Sequence, residues 1–170
     1  MAFSDVSKVS VRAQRPEDSE QLAELYNLPG FLQGTLRLPF RTPEEVRRDF
    51  ENAPSTDLLL VAAAGAQIIG QARLVRGRDR RAHTARLFLG VHDDWTRRGV
   101  GTALLRAMID SADNWLAIKR LELAIYADNG AAKALCEKNG FEVEGLMRSY
   151  AFRSGRLVDA LSMARILKGK

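Results

Sequence analysis

A single cysteine, Cys136, excludes an internal disulfide framework and points to a reducing compartment. No apolar run reaches the roughly 18 residues of a membrane helix, and residues 1–11 carry no secretory leader pattern. These absences predict a cytoplasmic protein with no membrane partner. His83 and His92 are the only histidines, and nothing in the sequence sets either beside Cys136. A nucleophilic thiol would therefore lack the base it needs. No metal site is expected. Repeats, low-complexity segments and linkers are missing too, so residues 1–170 read as one domain. A domain of this size can bury roughly 70% of its unfolded surface.

Charge is the first thing present in excess. Lys and Arg outnumber Asp and Glu by 26 to 21, for a net charge of +5. Arg73, Arg76, Arg78, Arg80, Arg81 and Arg86 crowd around Gly77. Such a stretch can be a patch for polyanions, the solvated tip of a hairpin or, between the two, a tip from which one or two arginines meet a phosphate of a small ligand. Aromatic residues that would stack bases do not interleave the arginines, and no nucleic-acid-binding motif accompanies them. The hairpin tip is the preferred reading, and nucleic acid is not an expected partner.

The chain opens with an alternating strand at residues 9–13. Pro16, Glu17 and Asp18 then start a helix through Leu22, Leu25 and Tyr26. Residues 27–41 are broken by Pro29, Gly30, Gly34 and Pro39, which predicts no regular element there. The segment is nonetheless apolar, so it either packs onto the core or lines a ligand site. Thr42, Pro43 and Glu45 form a capping box with proline at the first helical position. Two strands at 57–63 and 67–75 form a hairpin, the arginine-rich tip follows, and a third strand runs over 82–91. A helix at about 100–112 carries Val100, Leu104, Leu105, Met108, Ile109 and Ala112 on one stripe. A strand at 120–126, a helix at 129–139 stopped by Gly140, and strands at 141–150 and 156–163 complete an α+β chain.

The stretch that organises this order is Val91 to Leu105, where an apolar strand meets a glycine bend and a helix. Gly99 and Gly101 let a ligand approach the backbone closely, and the first-turn N–H groups have no intrahelical partners. With Arg97 and Arg98 alongside, this is an anion site suited to phosphate or pyrophosphate.

Thr96-Arg97-Arg98-Gly99-Val100-Gly101 resembles the cofactor motif Q/R-x-x-G-x-G/A of the GNAT N-acetyltransferase superfamily, except at its first position. A second superfamily motif, N-x-x-A-x-x-L-Y-x-x-x-G-F, is similar to Asn129, Ala132, Leu135, Gly140 and Phe141, with Cys136 in the place of tyrosine. The segments around Asp113-Asn114-Trp115-Leu116, Phe141 to Gly145, Tyr150, and Val158-Asp159-Ala160 with Met163 resemble a bacterial subgroup that includes L-amino-acid N-acetyltransferases. The resemblance implies a mostly antiparallel, splayed sheet of about seven strands with about four helices.

It also implies acetyl-CoA as cosubstrate and a primary amine as acceptor. Backbone N–H groups from Arg97, Arg98, Gly99, Val100, Gly101 and Thr102 would take the pyrophosphate. The edge of Leu89, Gly90 and Val91 would pair with the pantetheine amides, and Asn129 would bond the cofactor near its thiol. The Val91 N–H is the expected oxyanion donor. Cys136 takes the place of the leaving-group acid or is simply a small buried residue. Tyr126 and Tyr150 are alternative hydroxyls. Arg86 and Ala124 occupy places where relatives carry a base, which leaves Glu122 to act through water, with Glu144 and Asp159 as further carboxylates. Phe31, Thr35, Leu36 and Leu38, with Tyr150, are expected to line the acceptor pocket. A free L-amino acid is the preferred acceptor. A protein N-terminus, a drug-like amine, and a non-catalytic CoA-binding sensor are the alternatives, and a homodimer is implied by the family alone.

Overall fold

The computed structural model describes residues 9–168, so the reading of the first eight residues lies outside it. Strands β1 Val9–Ala13, β2 Leu58–Ala64, β3 Gln67–Arg76, β4 Thr84–Val91, β5 Arg120–Tyr126, β6 Glu142–Arg153 and β7 Arg156–Ile166 form one sheet in the order β1-β2-β3-β4-β5-β7-β6. β1/β2, β5/β7 and β6/β7 pair antiparallel, and β4/β5 pair in parallel. The helices are α1 Ser19–Tyr26, α2 Pro29–Gly34, α3 Pro43–Glu51, α4 Val100–Asn114 and α5 Gly130–Lys138. This is the α+β architecture expected from sequence, with five helices. By contacts the chain divides into two compact units, one of residues up to Arg73 with Leu89–Ala107, the other of Leu74–Phe88 with residues from Met108 on.

In the first unit, α1 buries Leu22, Leu25 and Tyr26 with Phe31, Val46, Val61 and Ile68, each at most 3% exposed. Their spacing on α1 is one helical stripe. α3 is capped as its sequence predicts: the Thr42 hydroxyl accepts from Glu45 N–H, and the Glu45 carboxylate accepts from Thr42 N–H.

Helix α2 corrects the expectation that residues 27–41 hold no regular element. Pro29 sits in its first turn, where a missing N–H costs nothing. The next two N–H groups, of Gly30 and Phe31, donate to the Asp93 carboxylate at 2.8 and 2.9 Å. A cap supplied from 62 residues away replaces the local one that the sequence lacks. Asp93→Ala is expected to destabilise the protein by about 2 kcal/mol, the upper end for a lost cap. A chemical-denaturation midpoint equal to wild type would contradict this account of α2.

In the second unit, β5 and β7 pair without a register break from Arg120↔Ile166 to Tyr126↔Ala160. Leu121, Met163, Ala164, Met108, Ala112, Ile118 and Phe141 are buried. Arg165 on β7 makes a two-point ion pair with Asp113 of α4, both contacts at 2.8 Å. Just past the end of α5 and its cap Asn139, Gly140 has a φ of 86°, which suits a residue with no side chain. Among the described residues, no helix is long and apolar enough to cross a membrane.

Candidate active site

The end of β4 and the start of α4 form one continuous feature of the first unit. His92 N–H bonds the Ile69 carbonyl at 2.8 Å, and a 3-10 turn over Asp93–Trp95 follows. Arg97 and Gly99 both take left-handed backbone, with φ of 59° and 79°, and turn the chain into α4. The first intrahelical bond runs from Ala103 N–H to the Gly99 carbonyl at 2.9 Å. Val100, Gly101 and Thr102 N–H lie ahead of it and have no partner within the helix. Arg97 and Arg98 are exposed, the latter with its guanidinium 5.4 Å from the Trp95 ring. A side chain built at Gly99 would meet nothing within 4 Å. Donors, positive charge and open space coincide here, which fits a pyrophosphate.

Upstream, a Cβ at Gly90 would sit 2.3 Å from the Phe31 ring, so β4 and α2 approach as closely as a bare backbone allows. Phe31 is 3% exposed and its ring lies 5.5 Å from that of Tyr26. It therefore belongs to the core. The exposed apolar surface after α2 comes from Leu36, Leu38 and Phe40, at 53, 76 and 89%. Thr35 bonds back to the Phe31 carbonyl at 2.8 Å. Arg37 lies 3.5 Å over the Tyr26 ring, and burial holds its pKa below the usual value. The far end of this loop is clasped by Asn27, which accepts from Arg41 N–H and donates to the Arg41 carbonyl. Neither the Asp93 clip nor the Asn27 clasp had a local sequence signal. Asp93 stands in the turn before α4, and its carboxylate caps α2.

In the second unit, Asn129 caps α5: its Oδ1 accepts from Ala132 N–H at 3.1 Å, which leaves the Nδ2 amide as a donor. Two turns on, Cys136 is 5% exposed, and burial followed by the charge of Glu137 pushes its thiol up to about 11. It stays a neutral thiol at physiological pH. Tyr126 is buried as well, with the Arg153 guanidinium 4.5 Å over its ring. Glu122 accepts from Arg120 at 2.6 Å and from Arg81 at 2.5 Å. Burial raises its pKa, but these two hydrogen bonds outweigh burial and hold it below the usual carboxylate range. Arg120 also grips Glu144. Asp159 accepts from Ser149 N–H at 2.8 Å.

The arginine-rich stretch resolves into separate partners. Arg73 pairs with the buried Asp57, Arg76 reaches the Leu116 carbonyl, Arg81 meets Glu122, and Arg86 bonds the Tyr150 hydroxyl. Arg78 and Arg80 are exposed at the tip.

The parallel β4/β5 ladder is three pairs long, from Thr84↔Arg120 to Arg86↔Glu122. Beyond it Leu87 and Leu123 have no counterpart across that ladder, so the sheet forks. The class this order of elements belongs to is that of the acetyl-transferring enzymes. The chain belongs to the acetyltransferase (GNAT) family, which matches residues 20–141. L-amino acid N-acetyltransferase AaaT of Escherichia coli is 34% identical over 162 residues, covering 95% of this chain and 99% of its own. A ribosomal-protein-alanine N-acetyltransferase from Brucella melitensis superposes with a TM-score of 0.82 at 27% identity, over 93% of this chain and 99% of the other. A spermidine N-acetyltransferase from Vibrio cholerae, solved with CoA and spermine, shares the fold with a TM-score of 0.84 at 20% identity, over 94% and 96%. The protein is an N-acetyltransferase, and its acyl donor is acetyl-CoA. No group of three or more His, Cys, Asp or Glu among the described residues is arranged to hold a metal.

Proposed function

We propose that this enzyme acetylates the primary amine of free L-amino acids, by direct attack of the bound amine on acetyl-CoA. The observation that carries the donor side is the start of α4, where three N–H groups without helix partners, two exposed arginines and the open space at Gly99 converge. The acceptor class is supported by end-to-end similarity to an enzyme named for L-amino acids.

Acetyl-CoA supplies the acetyl group as an activated thioester. In this reading Arg97 to Thr102 hold its pyrophosphate, Leu89 to Val91 pair with its pantetheine arm, and the Asn129 amide donates near its sulfur. The Val91 N–H donates to the oxygen on which negative charge develops. Leu36 and Leu38 offer apolar surface to the acceptor, and Thr35 braces their loop against α2. Glu122 is a weakened base because its proton affinity is lowered by two arginines, so it acts at most through a water. Cys136, at about 11, is a weaker acid than an ordinary thiol near 8.5. It fills space, and the departing thiolate takes its proton from solvent.

The test is CoA release from acetyl-CoA across a panel of L-amino acids, short peptides and polyamines, with Cys136→Ala beside wild type. Turnover is expected with L-amino acids, and the variant is expected to keep kcat within about threefold. Turnover confined to peptides or polyamines would overturn the acceptor class, and acetyl-CoA binding without turnover would favour a sensor. A Cys136→Ala loss beyond about 100-fold would return the thiol to a general-acid role.

A further inference from the structure

Arg86 is charged, exposed and held in place without a carboxylate. Its neighbours on β4, Ala85 and Leu87, are 1 and 5% exposed, so they face the core while Arg86 and the 40%-exposed Phe88 face outward. Glu122 is in register with Arg86 and shares that outward face. Glu122 is already taken by Arg81 and Arg120, and Arg120 also holds Glu144. Those two cations and two anions cancel. The Arg86 guanidinium instead donates to the Tyr150 hydroxyl at 2.8 Å. Among the described residues it has no ion pair, so its positive charge stands unpaired where the ladder forks.

Tyr150 reaches that point because β6 is distorted. Between Met147↔Ala160 and Ala151↔Val158 the register shifts, so Arg148, Ser149 and Tyr150 stand opposite Asp159 alone. Ser149 adopts left-handed backbone with φ of 51°, unusual for a residue with a side chain. The Asp159 carboxylate holds the Ser149 N–H, and the Asp159 carbonyl accepts from Ala127 N–H at 3.0 Å. A bulge that re-aims a side chain and a residue held in strained backbone both cluster at functional sites. Since the Tyr150 oxygen accepts from Arg86, its own O–H is directed to some other acceptor.

We propose that Arg86 and Tyr150 bind the α-carboxylate of the amino-acid acceptor, an inference that rests on the acceptor class proposed above. A guanidinium edge and a phenolic O–H presented together match the two oxygens of one carboxylate. A single guanidinium with no carboxylate partner suits a monoanion. Arg86 thus selects for an acid over the corresponding amide or decarboxylated amine.

The experiment compares kcat/KM for an L-amino acid with that for its primary amide, in wild type, Arg86→Gln, Arg86→Lys and Tyr150→Phe, with melting curves for each. Wild type is expected to prefer the acid. Arg86→Gln should reduce the acid-to-amide preference by about 10- to 100-fold, as loss of a charged hydrogen bond does. The reduction should lie in the acceptor KM. Arg86→Lys should recover part of the preference through its charge, and Tyr150→Phe should lose about threefold to tenfold. Wild-type preference for the acid that survives Arg86→Gln would overturn this inference and leave the acceptor class standing. A rise in the acetyl-CoA KM instead would assign the arginine to a cofactor phosphate and also overturn it. Wild type that acetylates the amide but no free amino acid would remove the acceptor class, and this inference with it. Should Arg86→Gln melt early, Tyr150→Phe and Arg86→Lys carry the comparison.

Discussion

Gly101→Glu is expected to weaken acetyl-CoA binding by about 100-fold or more, without lowering the melting temperature. A carboxylate in the first turn of α4 would stand within about 4 Å of a bound pyrophosphate, where one pair of like charges costs about 4 kcal/mol at the effective dielectric of a protein surface. The same carboxylate suits the positive end of a helix, and replacing glycine removes backbone entropy from the unfolded chain. Affinity and stability are thus expected to move in opposite directions. Gly101→Gln has similar bulk without the charge and should lose far less. Calorimetric titration beside a melting curve decides. A stable Gly101→Glu protein with wild-type affinity would remove the pyrophosphate from the start of α4.

Gly90→Val is expected to cost about 3 kcal/mol, the upper end for overpacking a core. A Cβ there would lie 2.3 and 2.4 Å from two Phe31 ring atoms, and the ring has nowhere to go because it is buried against Tyr26. Either β4 bows or α2 lifts, and both disturb the strand proposed to pair with pantetheine. Adding Phe31→Leu should restore part of the loss, since the shortened side chain makes room for the new one. Urea midpoints for the two single variants and the double variant test this. Simple additivity would mean that the contact between Gly90 and Phe31 does not limit the packing here.

What the sequence discloses in this chain is what is encoded locally. The stripe from Val100 to Ala112 and the capping box of Thr42 and Glu45 lie within a few residues of what they specify, and both stand in the structure as read. The glycine bend is legible for the same reason. Helix α2 is not, because its capping carboxylate comes from Asp93 across most of the first unit's sequence. Strand β6 was expected to end at Tyr150 and runs on to Arg153. The bulge that lets it continue depends on Asp159 from the next strand, which no local pattern announces. Arginine clustering was visible, but the carboxylates that separate Arg73 from Arg81, and the phenol that holds Arg86, come from 16, 41 and 64 residues away. Charge can be counted in a sequence, whereas its compensation has to be seen in space.

Cys136 gives the molecule a clock. It is the chain's only thiol, buried on α5, and its carbonyl accepts from both Asn139 and Phe141 N–H where the helix ends. At 5% exposure the residue is expected to react with a thiol reagent only as fast as the packing around it opens, so the labelling rate reports local opening at α5 and needs no introduced probe. Oxidants face the same gate, because sulfenic acid forms from an accessible thiolate and here both accessibility and ionisation are suppressed. Slow oxidation by peroxide is therefore expected for as long as this helix stays packed.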